Sequence, residues 1–168
     1  MGLFSENFET IEDLYRDQLQ DIYDAEQRIC NALPKMEEAA HSPELKRAFS
    51  THLRESEGHI ERLERCFELF GESPKSKTCD AMKGLVSEGE DIISATGDAD
   101  VRDAALIAAA QRVEHYEMAV YGCLRTFAMR CGQENAAELL QETLAEEEHC
   151  DKLLTQIAES SVNVKAAH

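Results

Sequence analysis

From Leu45 to Phe70, a row of mostly apolar residues with two histidines and a serine returns at alternating steps of four and three: Leu45, Phe49, His52, Ser56, His59, Leu63, Cys66 and Phe70. That alternation holds one face of an α-helix against a partner, and it is the seam pattern of a helix bundle. Three other stretches carry the same period. The first runs from about Ser5 to Ala40 on Leu19, Ile22, Tyr23, Ile29 and Leu33. Another opens near Gly97-Asp98 and runs on Leu106, Ala110, Val113, Glu117, Val120, Leu124 and Phe127 to Cys131-Gly132. The last extends from about Gln133 to Ser160 on Leu139, Leu140, Leu144, Leu154 and Ile157.

The breaks between these stretches set the topology. Ser42 and Pro43 are a cap and first-turn pair that starts the second helix at once after the first. Pro34 is expected to kink or divide the first helix. Gly71 ends the second helix, and Glu72 to Lys77 reads as loop. A shorter amphipathic segment, Cys79 to about Ala95, lies in the long link to the third helix. Two hairpins joined by one long link give an all-α fold, a ferritin-like four-helix bundle with one long crossover carrying a short extra helix. The bundle is expected over residues 1–160, with 161–168 a frayed tail.

A net charge of −17 argues against nucleic acid or an anionic membrane surface as partner. No apolar run is long enough for a bilayer. The segment MGLFSENFETIEDLY has neither the basic flank nor the apolar run of a signal peptide, so a cytoplasmic location is expected. The six cysteines form no CxxC pair and read as reduced, buried side chains.

Chemistry enters where carboxylates stand in seam positions. Glu26 sits between Ile22 and Ile29, and Glu117 between Val113 and Val120. An ionised carboxylate in a core costs several kcal/mol unless a cation or donor compensates it. Buried pairing with arginine is the alternative, but Arg28, Arg62 and Arg112 lie off the seams. The halves of the chain echo one another: Glu26 aligns with Glu117, and Glu55-x-x-x-His59 with Glu147-x-x-x-Asp151. One glutamate on each odd helix and a glutamate plus a second ligand on each even one is the inventory of a two-metal carboxylate site. The spacing of four departs from the usual Glu-x-x-His. Glu146-x-x-His149 has that spacing, but His149 points about 130° from the apolar face, counting about 100° per residue. Glu114, His52 and Tyr23 are secondary candidates. Oxygen-rich ligands suit two divalent ions of iron or manganese better than zinc or copper.

Along YDAEQRI, HLRESEGHIERLE, VRDAALIAAAQRVEHYEMAVYG and ETLAEEEHCDKL the chain resembles the YciE/YciF-type ferritin-like stress proteins, from about residue 7 to 160. The resemblance implies a rubrerythrin-related bundle, a two-metal site in each subunit and a homodimer. Carried over by position, the implied ligands are Glu26, Glu55, Glu114 or Glu117, Glu147 and Asp151. The expected function is a redox-active dimetal centre handling peroxide or dioxygen in a stress response, with Tyr23, Tyr116 or Tyr121 as nearby proton or electron donors. The alternative is a metal- or partner-binding stress protein without turnover.

Overall fold

The computed structural model describes residues 8–168. Helix α1 spans Ile11–Ala39, α2 Pro43–Phe70, α3 Asp80–Ser94, α4 Ala99–Arg130 and α5 Glu134–Ile157. The chain then passes through one π-helical turn, Ala158–Val162, into a short helix α6, Asn163–Ala166. The expected start of the first helix near Ser5 falls outside the described residues. The helix begins instead where Thr10 and Asp13 form a reciprocal capping box, each side chain accepting the other's amide at 3.1 Å. Pro34 does not divide α1. Its ring lies on the exposed face, where solvent can serve the Cys30 carbonyl that loses its amide partner.

Packing places α1 beside α2 and α4, and α5 beside α4 and α2. The Asp103 carboxylate at the start of α4 accepts the amides of His41 and Ser42, at 2.7 and 2.6 Å, so the α1–α2 turn meets the beginning of α4. The end of α2 meets the beginning of α5 where the Cys66 thiol faces the Ala136 carbonyl at 3.9 Å. Adjacent helices are therefore antiparallel, and the link from α2 to α4 must travel the length of the bundle. Gly71, in the left-handed region at φ 84°, turns the chain out of α2. Lys77 then ties the link to Asp17 at 2.7 Å, and the Cys79 amide binds Asp24 at 2.9 Å, so α3 is laid against α1 and α4. This is the expected ferritin-like connectivity with its extra helix.

Two details differ from the sequence reading. On α4 the inward row is Leu106, Ala110, Glu114, Glu117, Tyr121, Leu124 and Ala128, while Val113, Val120 and Phe127 are half-buried. The expected frayed tail is helical through Ala166, and Val162 is buried against the core. No helix among the described residues is long and apolar enough to cross a membrane.

Candidate metal centre

Midway along the bundle, the four long helices turn charged side chains into a core that is otherwise closed. Helix α1 contributes Glu26, α2 His52 and His59, α4 Glu114 and Glu117, and α5 Glu147 and Cys150, all buried. Each stands where the inward periodicity of its helix requires an apolar residue. Glu26, His59, Glu117 and Glu147 have no exposed surface.

The ligand-type atoms gather into overlapping groups, within each of which they lie inside 4.8 Å of one another. One is Glu26, His59 and Glu147. Another is His52, Glu114, Glu117 and Glu147, with Cys150 adjoining His52 and Glu114. Glu147 belongs to both. Its Oε1 lies 3.0 Å from His59 Nδ1, which is also 3.2 Å from Glu26 Oε1. Its Oε2 lies 3.9 Å from His52 Nε2, which is 3.4 Å from Glu114 Oε1. A carboxylate with one oxygen toward each group is placed as a bridge between two cations would be.

The hydrogen-bond accounting tests the fit. Glu26 Oε2, Glu114 Oε2, both oxygens of Glu117 and of Glu147, both nitrogens of His52 and Nδ1 of His59 are buried without a hydrogen-bond partner. Buried polar atoms are nearly always satisfied, and each failure costs roughly 1–3 kcal/mol. No arginine or lysine pairs with Glu26, Glu114, Glu117 or Glu147 among the described residues: Arg28 binds Asp24, Arg62 binds Glu146, and Arg112 approaches Glu88. Carboxylates and imidazoles converging from four helices with no arginine or lysine between them suit a cation of hard or borderline character. The residues therefore fit a metal, and two groups sharing one carboxylate fit two.

Electrostatics agree. Burial pushes the Glu117 carboxyl well above the usual carboxylate range, and the negative charges of Glu147, Glu26 and Glu114 push it further. Burial likewise raises Glu114; His52 opposes and Glu147 adds. Burial disfavours a charged His59, yet its contacts with Glu147 and Glu26 prevail and hold its pKa up to about 10. His52 is raised against its burial by Glu114, Cys150 and Glu55. Glu147 is lowered, its burial outweighed by the two histidines. In the metal-free protein these shifts favour the protonated forms of His59, His52, Glu114 and Glu117.

A supporting layer fixes His59. Its Nε2 donates to Glu146 Oε2 at 2.9 Å, and Arg62 grips both Glu146 oxygens at 2.6 and 2.9 Å. With Nε2 committed to Glu146, Nδ1 is the nitrogen that faces Glu26 and Glu147, and it would ligate a metal on giving up its proton. The Tyr121 hydroxyl donates to Glu26 Oε1 at 2.5 Å, and burial beside that carboxylate keeps the phenol protonated.

Among the residues expected from sequence, Glu26, His59, Glu114, Glu117 and Glu147 come together here. Glu55 sits at the edge, half-buried, 3.6 Å from His52 Nδ1. Asp151 does not join them: one residue past Cys150, it turns about 100° off the inward face of α5. Its carboxylate meets Gln111 at 3.0 Å and His115 at 3.2 Å. Tyr23 bonds Glu64 and Tyr116 bonds Asp21, both outside the cluster, and His149 is exposed. Cys150 and the Glu146–Arg62 support were not anticipated. The signal for Cys150 was present, since Glu147-x-x-Cys150 has the three-residue spacing of Glu-x-x-His.

Comparison with known proteins adds relatives to this geometry. The family model DUF892, described as a domain of unknown function, matches residues 10–167. Protein YciF of Escherichia coli K12 is 46% identical over 161 residues, 95% of this chain and 97% of that protein. The crystal structure of the E. coli stress protein YciF matches with a TM-score of 0.89 at 45% identity, covering 93% of this chain and 99% of that one. YcfI of Rhodopseudomonas palustris, proposed to be a structural protein, matches at 0.88 and 40% identity over 93% and 99% of the two chains. A protein of Xanthomonas campestris pv. campestris shares the fold, with a TM-score of 0.75 at 23% identity over 92% of this chain and 95% of that one.

Proposed function

The chain belongs to the DUF892 family, and from that premise we propose that it is a dimetal carboxylate protein, redox-active toward dioxygen or peroxide in a stress response. The observation that carries the reading is the pair of buried ligand groups sharing Glu147, with their lone pairs unpartnered. Two ions of iron or manganese suit a set of four carboxylates and two imidazoles. Glu26 and His59 would hold one and His52, Glu114 and Glu117 the other, with Glu147 between them and Cys150 at the second. Bound, such ions supply the electrons of the redox chemistry. Tyr121 holds a proton at a hydroxyl already bonded to Glu26, within the core and away from water. Glu146 and Arg62 keep the His59 ring oriented. The acidic surface repels anionic partners, and we place the protein in the cytoplasm as a homodimer.

Elemental analysis of protein purified without added metal tests this. About two ions per chain are expected, with most of the metal lost in Glu117→Ala and in Glu147→Ala. Unchanged stoichiometry in both variants would refute the site.

A second reading, metal holding without turnover, draws on the zero exposure of Glu26, His59, Glu117 and Glu147. Consumption of dioxygen or hydrogen peroxide by the metal-loaded protein separates the two: turnover supports the first, and full loading without turnover supports the second.

A further inference from the structure

The crossover helix α3 does not close tightly on the bundle. Between α1, α3 and α4 lies a cavity of about 40 Å³, more than the roughly 10–15 Å³ that one water needs and far below the ~150 Å³ of a benzene-sized void. Its walls are aliphatic: Ile29 and Met36 from α1, Leu85 and Ile93 from α3, Ala110 and Val113 from α4. His52 and Glu114 also line it, which brings it to the second ligand group of the centre. Lys35 and Glu90, both well exposed and paired at 2.8 Å, line it as well and mark its outer rim.

Gly89 gives a second, independent sign that the space is kept. It is buried in the middle of α3 and lines the cavity, yet a Cβ there would meet nothing within 4 Å. Glycine inside a helix costs about 1 kcal/mol relative to alanine, and its φ lies outside the left-handed region. Neither close packing nor backbone geometry accounts for it. A void with so little polar lining offers a water too few partners and favours a small apolar molecule.

We propose that this cavity is the seat and entry path of dioxygen beside the His52–Glu114 half of the centre. The inference rests on the metal-binding reading above and deepens it by choosing between its two oxidants. Hydrogen peroxide, with two donors and several lone pairs, would leave most of its hydrogen bonds behind on entering such walls.

Xenon, apolar and compact, is the probe for the cavity itself. In metal-free protein it should shift the methyl resonances of Ile29, Leu85 and Ile93. Gly89→Leu, which fills the void from α3, should weaken that binding about tenfold or more, roughly the loss of 1.4 kcal/mol. In ferrous-loaded protein the same variant should slow oxidation by dioxygen about fivefold or more and leave oxidation by hydrogen peroxide within about twofold. In the first assay two ferrous ions give one electron each, and dioxygen takes both with two solvent protons to leave as hydrogen peroxide. Ala110→Val fills the void from α4 and serves if the α3 variant fails to fold. Xenon absent from the cavity, or a filled cavity that leaves the dioxygen rate unchanged or slows both oxidants equally, overturns the proposal. Should the protein hold no metal, the metal-binding reading falls while the xenon titration still decides whether the cavity takes an apolar guest.

Discussion

Replacing Glu117 by leucine should make the metal-free protein more stable and deprive it of metal. Glu117 is fully enclosed, and neither of its oxygens has a hydrogen-bond partner. Burial, and then the charges of Glu147, Glu26 and Glu114, raise its pKa well above the usual carboxylate range and so favour its neutral form in the metal-free state. Each unsatisfied buried group costs roughly 1–3 kcal/mol, and leucine of similar volume removes both. A gain of about 2 kcal/mol follows, or about 4–8 °C in Tm for a chain of this size. Glu117→Gln, equal in shape, should change metal-free stability by less than about 1 kcal/mol while also losing the metal. Thermal and urea denaturation after chelation measure both variants. Repeating them with excess metal should raise wild-type stability by about 4 kcal/mol at a thousandfold excess over Kd and leave the leucine variant nearly unmoved. If Glu117 were instead half of a buried ion pair, its removal would destabilise the metal-free protein by about 3–5 kcal/mol. That outcome, or an undiminished metal response, would refute the reasoning.

Asp103→Ala strands the amides of His41 and Ser42 and should cost about 2–4 kcal/mol in urea denaturation, with Asp103→Asn recovering part. Glu146→Ala releases His59 from its hydrogen bond and should weaken metal binding about 10–100-fold in competition with a chelator, without changing the number of ions bound. At Asp24 burial opposes the charge, but Arg28 and the Cys79 amide prevail and hold the carboxyl below its ordinary value of 3.8. Its contribution is therefore complete above about pH 4 and lost as pH falls through the lowered folded value. Asp24→Asn should cost about 1 kcal/mol at pH 7, and the difference from wild type should close as pH falls through that lowered folded value.

The seams and breaks made the bundle legible because a helix face and its caps are local properties. Glu26 was legible for the same reason, since isoleucines on either side leave no doubt which way it points. Helix α4 was harder. Val113, Met118, Val120 and Phe127 surround the inward row with further apolar surface, so the periodicity could not separate a row through Val113 from one through Glu114. On α5 the run Glu146-Glu147-Glu148 offers three carboxylates in succession, and only the angle to Leu140 and Leu144 picks out Glu147. The spacing Glu147-x-x-Cys150 offered Cys150 as a candidate ligand, but a buried cysteine is also ordinary core material. The support from Glu146 and Arg62 joins α5 to α2, a tertiary pairing that no single-helix pattern contains.

The place of Asp151 outside the cluster follows from the register that relates the two hairpins. Matching Glu55 to Glu147 shifts the even helices by one residue relative to the odd ones. Adding 91 to every number instead carries Glu26 onto Glu117 and, in the same register, Leu63 onto Leu154, Ser56 onto Glu147, His59 onto Cys150 and His52 onto Thr143, all buried. One register then relates both hairpins, but the ligands in matching places differ. Helix α2 presents two imidazoles and a hydroxyl where α5 presents a thiol, a carboxylate and a hydroxyl. On the odd helices Tyr23 corresponds to Glu114, so the second carboxylate of α4 has no counterpart on α1. The scaffold repeats while the chemistry does not. The group around Glu26 and His59 holds two carboxylates and one nitrogen, braced by Tyr121 and Glu146. The group around His52 holds three carboxylates, one nitrogen and a thiol, and faces the apolar cavity under α3. Two ions seated there would differ in charge environment and in access. Partial loading should therefore fill the sites in sequence, with His52→Ala and His59→Ala each losing a different one.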